Sequence, residues 1–153
     1  MADTTVKLVI PSDLKSVYLI DMLVETLCSL VPLSDDGSFW IKLCTVEAVN
    51  NAILHAYDKS PDYEVEVSVA LAADRLRVTV RDTGRPMPAD LLEGRSLADL
   101  AGDPEDPASV ATKGRGLAII REMMDSVTYH QEKSGNRLTM VKLLNGEENG
   151  EGR

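Results

Sequence analysis

A chain of 153 residues, 44% hydrophobic and 27% charged, has the size and composition of one soluble globular domain. At that length it buries roughly 70% of the surface its unfolded form exposes, so it needs no disulfide or metal staple. A net charge of −9 argues against binding a nucleic-acid backbone, and no apolar run approaches the roughly 20 residues that cross a bilayer.

Thr4 to Ile10 alternates loosely and reads as a first strand, stopped by Pro11 with Ser12-Asp13 as a helix N-cap signal. Val17, Ile20, Leu23/Val24, Leu27 and Leu30 recur at helical spacing, which predicts a helix over Leu14 to Leu30 ended by Pro32. Ser34-Asp35-Asp36-Gly37 reads as a turn into a second helix from about Ser38 to Tyr57. That helix carries an apolar stripe (Ile41, Thr45, Ala48, Ala52, Ala56) beside a polar one of Glu47, Asn51 and His55. Tyr63 to Ala72 and Leu76 to Asp82 alternate with period two and read as a hairpin.

From Thr83 to Lys113 the periodicity breaks down, with Pro86, Pro88, Pro104 and Pro107 and glycines at 84, 94 and 102. A loop of this length inside a compact domain predicts a functional lid, about 83–113. Leu117, Ile120, Met123 and Met124 predict a helix over Gly116 to Asp125. Val127 to Gln131 and Arg137 to Leu144 then form a last hairpin turning at Ser134-Gly135-Asn136, and the polar, glycine-rich 145–153 reads as a disordered tail. Strands and helices are grouped and do not alternate strictly. The expected architecture is therefore α+β, a two-layer sandwich of a mixed, mostly antiparallel sheet with helices on one face, in a single domain over 1–144.

Cys28 and Cys44 lack metal-ligand spacing and read as small core residues; His55 and His130 are too few and too far apart for a zinc site. The N-terminus Met1-Ala2-Asp3-Thr4-Thr5 has no signal-peptide pattern, which predicts a cytoplasmic protein with no membrane contact.

Three short segments carry chemistry. Glu47 and Asn51 are four apart, so their side chains share one helix face about a turn apart. An amide oxygen suits Mg²⁺, which completes its shell with waters and phosphates, and a neighbouring carboxylate can take a proton from an incoming hydroxyl. The same pair also fits a solvated polar stripe. Asp82 ends a strand before Thr83-Gly84; its carboxylate can accept from the exocyclic amine of adenine, and Gly84 lets backbone approach a ring closely. Read alone, Asp-Thr-Gly is also an ordinary turn. Gly114-Arg115-Gly116 opens a helix where backbone N–H groups and the positive helix end can meet phosphates, with Lys113 or Arg115 adding charge. Neither a Walker A loop nor a Rossmann fingerprint is present.

In this order the segments resemble the Bergerat-type ATP site of the GHKL superfamily, shared by gyrase, MutL and histidine kinases. Glu47-x-x-x-Asn51 matches the N-box, Asp82-x-Gly84 the first glycine box and Gly114-x-Gly116-x-x-Ile119 the second. The string from Glu47 to Tyr57 and the short chain are most similar to the anti-sigma factor serine/threonine kinases. The resemblance implies Glu47 as catalytic base, Asn51 as Mg²⁺ ligand, Asp82 and Gly84 at the adenine, and Gly114 to Leu117 (Gly114, Arg115, Gly116, Leu117) with Lys113 at the phosphates. It also implies ATP or ADP as ligand, a STAS-domain antagonist as substrate, a sigma factor as second partner and a homodimer. Arg85-Pro86 stands where larger relatives have a further glycine. Asn136-Arg137-Leu138-Thr139 follows Gly135 where many members carry threonines, so no threonine contact to adenine is assigned. Three other readings share these motifs: a STAS-scaffold kinase that binds no sigma factor, a non-catalytic nucleotide-binding module, and a sensor histidine kinase domain.

Overall fold

The computed structural model describes residues 3–88, 105 and 114–144. Most of the predicted lid, and the predicted tail, lie outside the described residues.

Strand β1 (Thr4–Pro11) leads through a short 3₁₀ turn (Leu14–Ser16) into α1 (Val17–Cys28). Helix α2 (Asp35–Asn51) continues into a wider π-helical turn, Ala52–Ala56. Then come β2 (Glu64–Leu71), β3 (Arg75–Asp82), α3 (Arg115–Met123), β4 (Ser126–Glu132) and β5 (Gly135–Leu143). The five strands form one sheet in the order β1-β2-β3-β5-β4, and every neighbouring pair is antiparallel. The expected α+β architecture stands, with the sheet antiparallel throughout. Among the described residues, no helix is long and apolar enough to cross a membrane.

Period-two alternation sends one row of each strand to the helices. Val65, Val67 and Val69 of β2, Leu76, Val78 and Val80 of β3, and Leu138 and Met140 of β5 are all buried there. They pack in one cluster with Ile20 and Val24 of α1, Ile41, Cys44 and Val49 of α2, and Leu117 and Ile120 of α3. Both cysteines are free and buried, as their reading as core residues required, and burial pushes the Cys44 thiol up to about 11. The other sheet face carries charged pairs such as Lys7–Glu66 and Arg137–Glu132.

Two turns differ from the sequence reading. Ser34 to Gly37 is the cap and first turn of α2, because the Ser34 hydroxyl accepts from Gly37 N at 3.0 Å. The last hairpin turns at Lys133-Ser134, with Glu132 paired to Gly135, which moves Asn136 from the turn into the inward row of β5.

The end of α2 is tied to the sheet through Tyr57, which is buried and stacks on Tyr63 at 4.8 Å. Its hydroxyl donates to Glu64 O at 2.6 Å and accepts from Thr83 N at 2.8 Å. Tyr57→Phe removes both part-buried bonds, at a cost of about 1 kcal/mol. The expected result is a lower urea midpoint at unchanged slope; an unchanged midpoint would mean that water replaces the hydroxyl.

Candidate functional site

The site forms where the last turns of α2 meet the end of β3. A Cβ at Gly84 would collide with the Ala56 carbonyl, so only glycine allows this backbone-to-backbone approach. Arg85 N donates to Ala56 O at 2.9 Å, and the Arg85 guanidinium donates to His55 O at 3.2 Å. The π-helical turn sits at this junction, with Tyr57 N bonded to Ala52 O at 3.0 Å. The chain then leaves the helix through Asp58 and Lys59, both left-handed at φ 53° and 65°.

A cavity of about 310 Å³ opens between these elements and α3. Asn51 lines it from α2, Ala52 and His55 from the π-helical turn, Asp82 and Val80 from β3, Met87 from the following loop, Leu117 and the cap Gly114 from α3, and Tyr129 and Leu138 from the last hairpin. Its walls are largely apolar, with one carboxylate, Asp82, on one side and the start of α3 on another.

Asp82 Oδ1 accepts from Gly84 N at 2.9 Å and from the Asn136 side-chain amide at 2.8 Å. Burial raises the Asp82 pKa above the usual carboxylate value, with the Asn136 and Gly84 donors pulling the other way. The Asn136 amide also donates to Gly84 O at 3.0 Å, so one side chain holds both ends of the Asp82-Thr83-Gly84 turn. Tyr129 Oη accepts from Met87 N at 2.8 Å and so fixes the outer wall. Burial raises the Tyr129 pKa, the Met87 N–H opposes this, and the Asp82 charge adds to it.

On the opposite side, Gly114 caps α3 in the left-handed conformation (φ 83°). Helix geometry leaves the first N–H groups of α3 without intrahelical acceptors, at the positive end of its dipole. Gly116 lies against Glu47: a Cβ there would stand 2.5 Å from Glu47 Oε2. The helix start is thereby seated on the carboxylate one turn before Asn51. Arg115 is exposed and Leu117 buried. Of the residues singled out from sequence, Asn51, Asp82, Gly114 and Leu117 line the cavity, while Gly84 forms the junction beneath it. Glu47 and Gly116 meet at its α3 side, and Lys113 lies outside the described residues.

Sequence reasoning missed Asn136, Tyr57 and Tyr129. A signal for Asn136 was present: it is in phase with Leu138 and Met140, so a polar residue occupies a core-facing strand position. Tyr57 and Tyr129 act through hydroxyl contacts to distant backbone, which no local pattern encodes.

The donor set suits a nucleoside triphosphate. An apolar slot with one half-buried carboxylate acceptor fits a purine that carries an amine, and a glycine-opened helix start fits phosphate oxygens. Asn51 offers one hard oxygen, and the described residues contain no group of three carboxylate, imidazole or thiol side chains. A divalent ion there is thus of the kind that depends on phosphates and water for most of its shell.

Comparison with known proteins agrees with this chemistry. The family model described as a histidine kinase-like ATPase domain matches residues 10–142. The chain is 30% identical over 146 residues to the serine-protein kinase RsbW of Bacillus velezensis, covering 93% of this chain and 87% of that one. Against the anti-sigma F factor of Heyndrickxia coagulans it is 37% identical over 100 residues, a match spanning 64% of each chain and so just under two thirds of that relative. The solved structure of the RsbU and RsbW domains of a Mycobacterium tuberculosis protein has the same fold, with a TM-score of 0.64 at 14% identity. It covers 94% of this chain, which spans 33% of that one.

The half-buried Asp82 carboxylate makes a stability test. Its native pKa lies above the 3.8 of the free side chain, so the native state holds the proton more tightly than the unfolded chain. Its contribution is therefore lost as pH rises from 3.8 through the native pKa, and is level above it. Asp82→Asn removes this dependence. The urea midpoint of the variant minus that of wild type should grow with pH across that interval and then level off; a difference independent of pH would mean that the Asn136 and Gly84 donors fully offset the burial of Asp82.

Proposed function

This chain belongs to the histidine kinase-like ATPase domain family, and we propose that it is an ATP-dependent serine/threonine-protein kinase and anti-sigma factor. One relative named an anti-sigma F factor and another named a serine-protein kinase, the latter matched over nearly the whole chain, support this reading. The observation that carries it is the convergence of Asn51, Asp82 and the glycine-opened start of α3 on one cavity, with Glu47 seated against Gly116. The proposed substrate is a seryl or threonyl hydroxyl of a STAS-domain antagonist, and a sigma factor is the second partner.

In this mechanism adenine enters between Val80, Leu138 and Leu117, and its exocyclic amine donates to Asp82. The triphosphate runs toward Gly114, Gly116 and Leu117, whose N–H groups meet its oxygens, and Arg115 or Lys113 adds positive charge. Asn51 would hold Mg²⁺, which when bound neutralises charge building on the phosphates. Glu47 accepts the proton of the incoming hydroxyl as oxygen attacks the γ-phosphorus and the bond to the ADP oxygen breaks. Most of the catalysis is positioning, because phosphoryl transfer asks little covalent chemistry of the protein.

Calorimetry with Mg-ATP and Mg-GTP, followed by transfer of labelled γ-phosphate to a STAS-domain protein, tests this. Wild type should bind ATP selectively and transfer phosphate. Glu47→Gln should keep ATP binding while transfer falls by roughly 10²–10⁴-fold. ATP binding without transfer by wild type to any seryl acceptor would reduce the protein to a nucleotide-dependent binding module.

A further inference from the structure

We propose that Asn136 is the residue that sets adenine specificity, by locking the Asp82 carboxylate in an acceptor-only, oriented state. This rests on the ATP-site reading above and goes beyond it, since Asn136 stands where no adenine contact was assigned.

Asn136 is 3% exposed, and its amide nitrogen spans two acceptors, Asp82 Oδ1 at 2.8 Å and Gly84 O at 3.0 Å. Backbone pairing fixes the approach, because Asn136 lies directly opposite Asp82 in the β3–β5 ladder. Gly84 N donates to the same Oδ1 at 2.9 Å. Two donors on one oxygen pin the carboxylate plane and leave Oδ2 without a hydrogen bond among the described residues, free to accept from a ligand in the cavity that Asp82 lines. The adjoining glycine leaves no slack: a Cβ at Gly135, which has φ +131°, would run into the Asp82 carbonyl.

An ionised carboxylate accepts hydrogen bonds only; a protonated one also donates. The first selects a purine with an amine at its six position, and the second tolerates a carbonyl there. Burial favours protonation of Asp82, and the Asn136 donor opposes it. Selectivity is therefore a readout of whether Asn136 holds Asp82 ionised. Asn136 touches the carboxylate and not the reacting atoms, so it is a positioning residue.

Other titratable or charged groups near Asp82 are Tyr129 on β4, His55 in the π-helical turn, Arg81 on β3 itself, Arg85 beyond β3, and Glu64 and Glu66 of β2. Their effects on the triphosphate cancel in a ratio of two nucleotides that share it, and their effects on Asp82 are common to wild type and the Asn136 variants.

The experiment is calorimetry of the full chain with Mg-ATP and with Mg-ITP, which carries oxygen in place of the amine, from about pH 5 to about pH 8. Wild type is set beside Asn136→Ala and the near-isosteric Asn136→Asp, each first shown to melt cooperatively. Carbon-13 titration of the Asp82 carboxyl without nucleotide is run in parallel. The expected result is an ATP/ITP preference that drops at least roughly tenfold in both variants, a factor within reach of one charge-assisted hydrogen bond. The pH at which preference is lost, and the Asp82 titration midpoint, should both move upward. Folded variants with wild-type preference and an unmoved Asp82 midpoint overturn this inference alone. Wild type that binds neither nucleotide overturns the ATP site and this inference with it.

Discussion

The site depends on one backbone contact, Gly84 against Ala56. Side chains normally keep a helix and the strand beneath it apart; here the missing Cβ lets the chain after β3 slide under the last turn of α2. The approach is then fastened by the bond from Arg85 N to Ala56 O and by Tyr57, whose hydroxyl reaches Thr83 N. With that contact in place, Asn51 on the helix and Asp82 on the strand face the same cavity. Neither residue has chemistry of interest without the other, and the packing of the aliphatic core alone would not bring them together.

A second glycine contact, Gly116 on Glu47, is of a different kind. At Gly84 the obstacle is backbone that cannot move, whereas at Gly116 it is the end of a flexible carboxylate. The first contact therefore shapes the fold and the second shapes the chemistry. It brings the positive end of α3 onto the acid of the Glu47–Asn51 pair, so the same helix start can face phosphate on one side and hold the base on the other.

Much of this was legible in the sequence because it was written in local period. Alternation placed β2 and β3 within a residue of their ends, and the Glu47-Asn51-His55 stripe lies on α2 and its continuation as its spacing required. What escaped was set by register. Asn136 reads locally as part of a Ser-Gly-Asn turn; only the two-residue turn at Lys133-Ser134, and the ladder it fixes, put it opposite Asp82. Ser34 was read as a turn residue because a cap and a turn share the same residue types, and only its bond to Gly37 N separates them. The π-helical turn has no residue signature either. It follows from the demand that Ala56 reach Gly84 and Tyr57 reach Thr83 at once.

Burying Asp82 runs against stability, since burial disfavours its charged form. The molecule offsets part of this with the Gly84 and Asn136 donors, both on one oxygen. A site selected for stability alone would spread its donors over both oxygens or replace the acid with an aliphatic residue. Concentrating them on Oδ1 satisfies one half of the carboxylate and reserves the other, inside a cavity whose neighbouring walls are Val80, Leu117 and Leu138. Such an acceptor is costly in the empty protein and is repaid only by a ligand that brings a donor. The hydrophobic sheet and helices supply the stability that lets this local deficit persist, and the deficit is what makes the cavity discriminate.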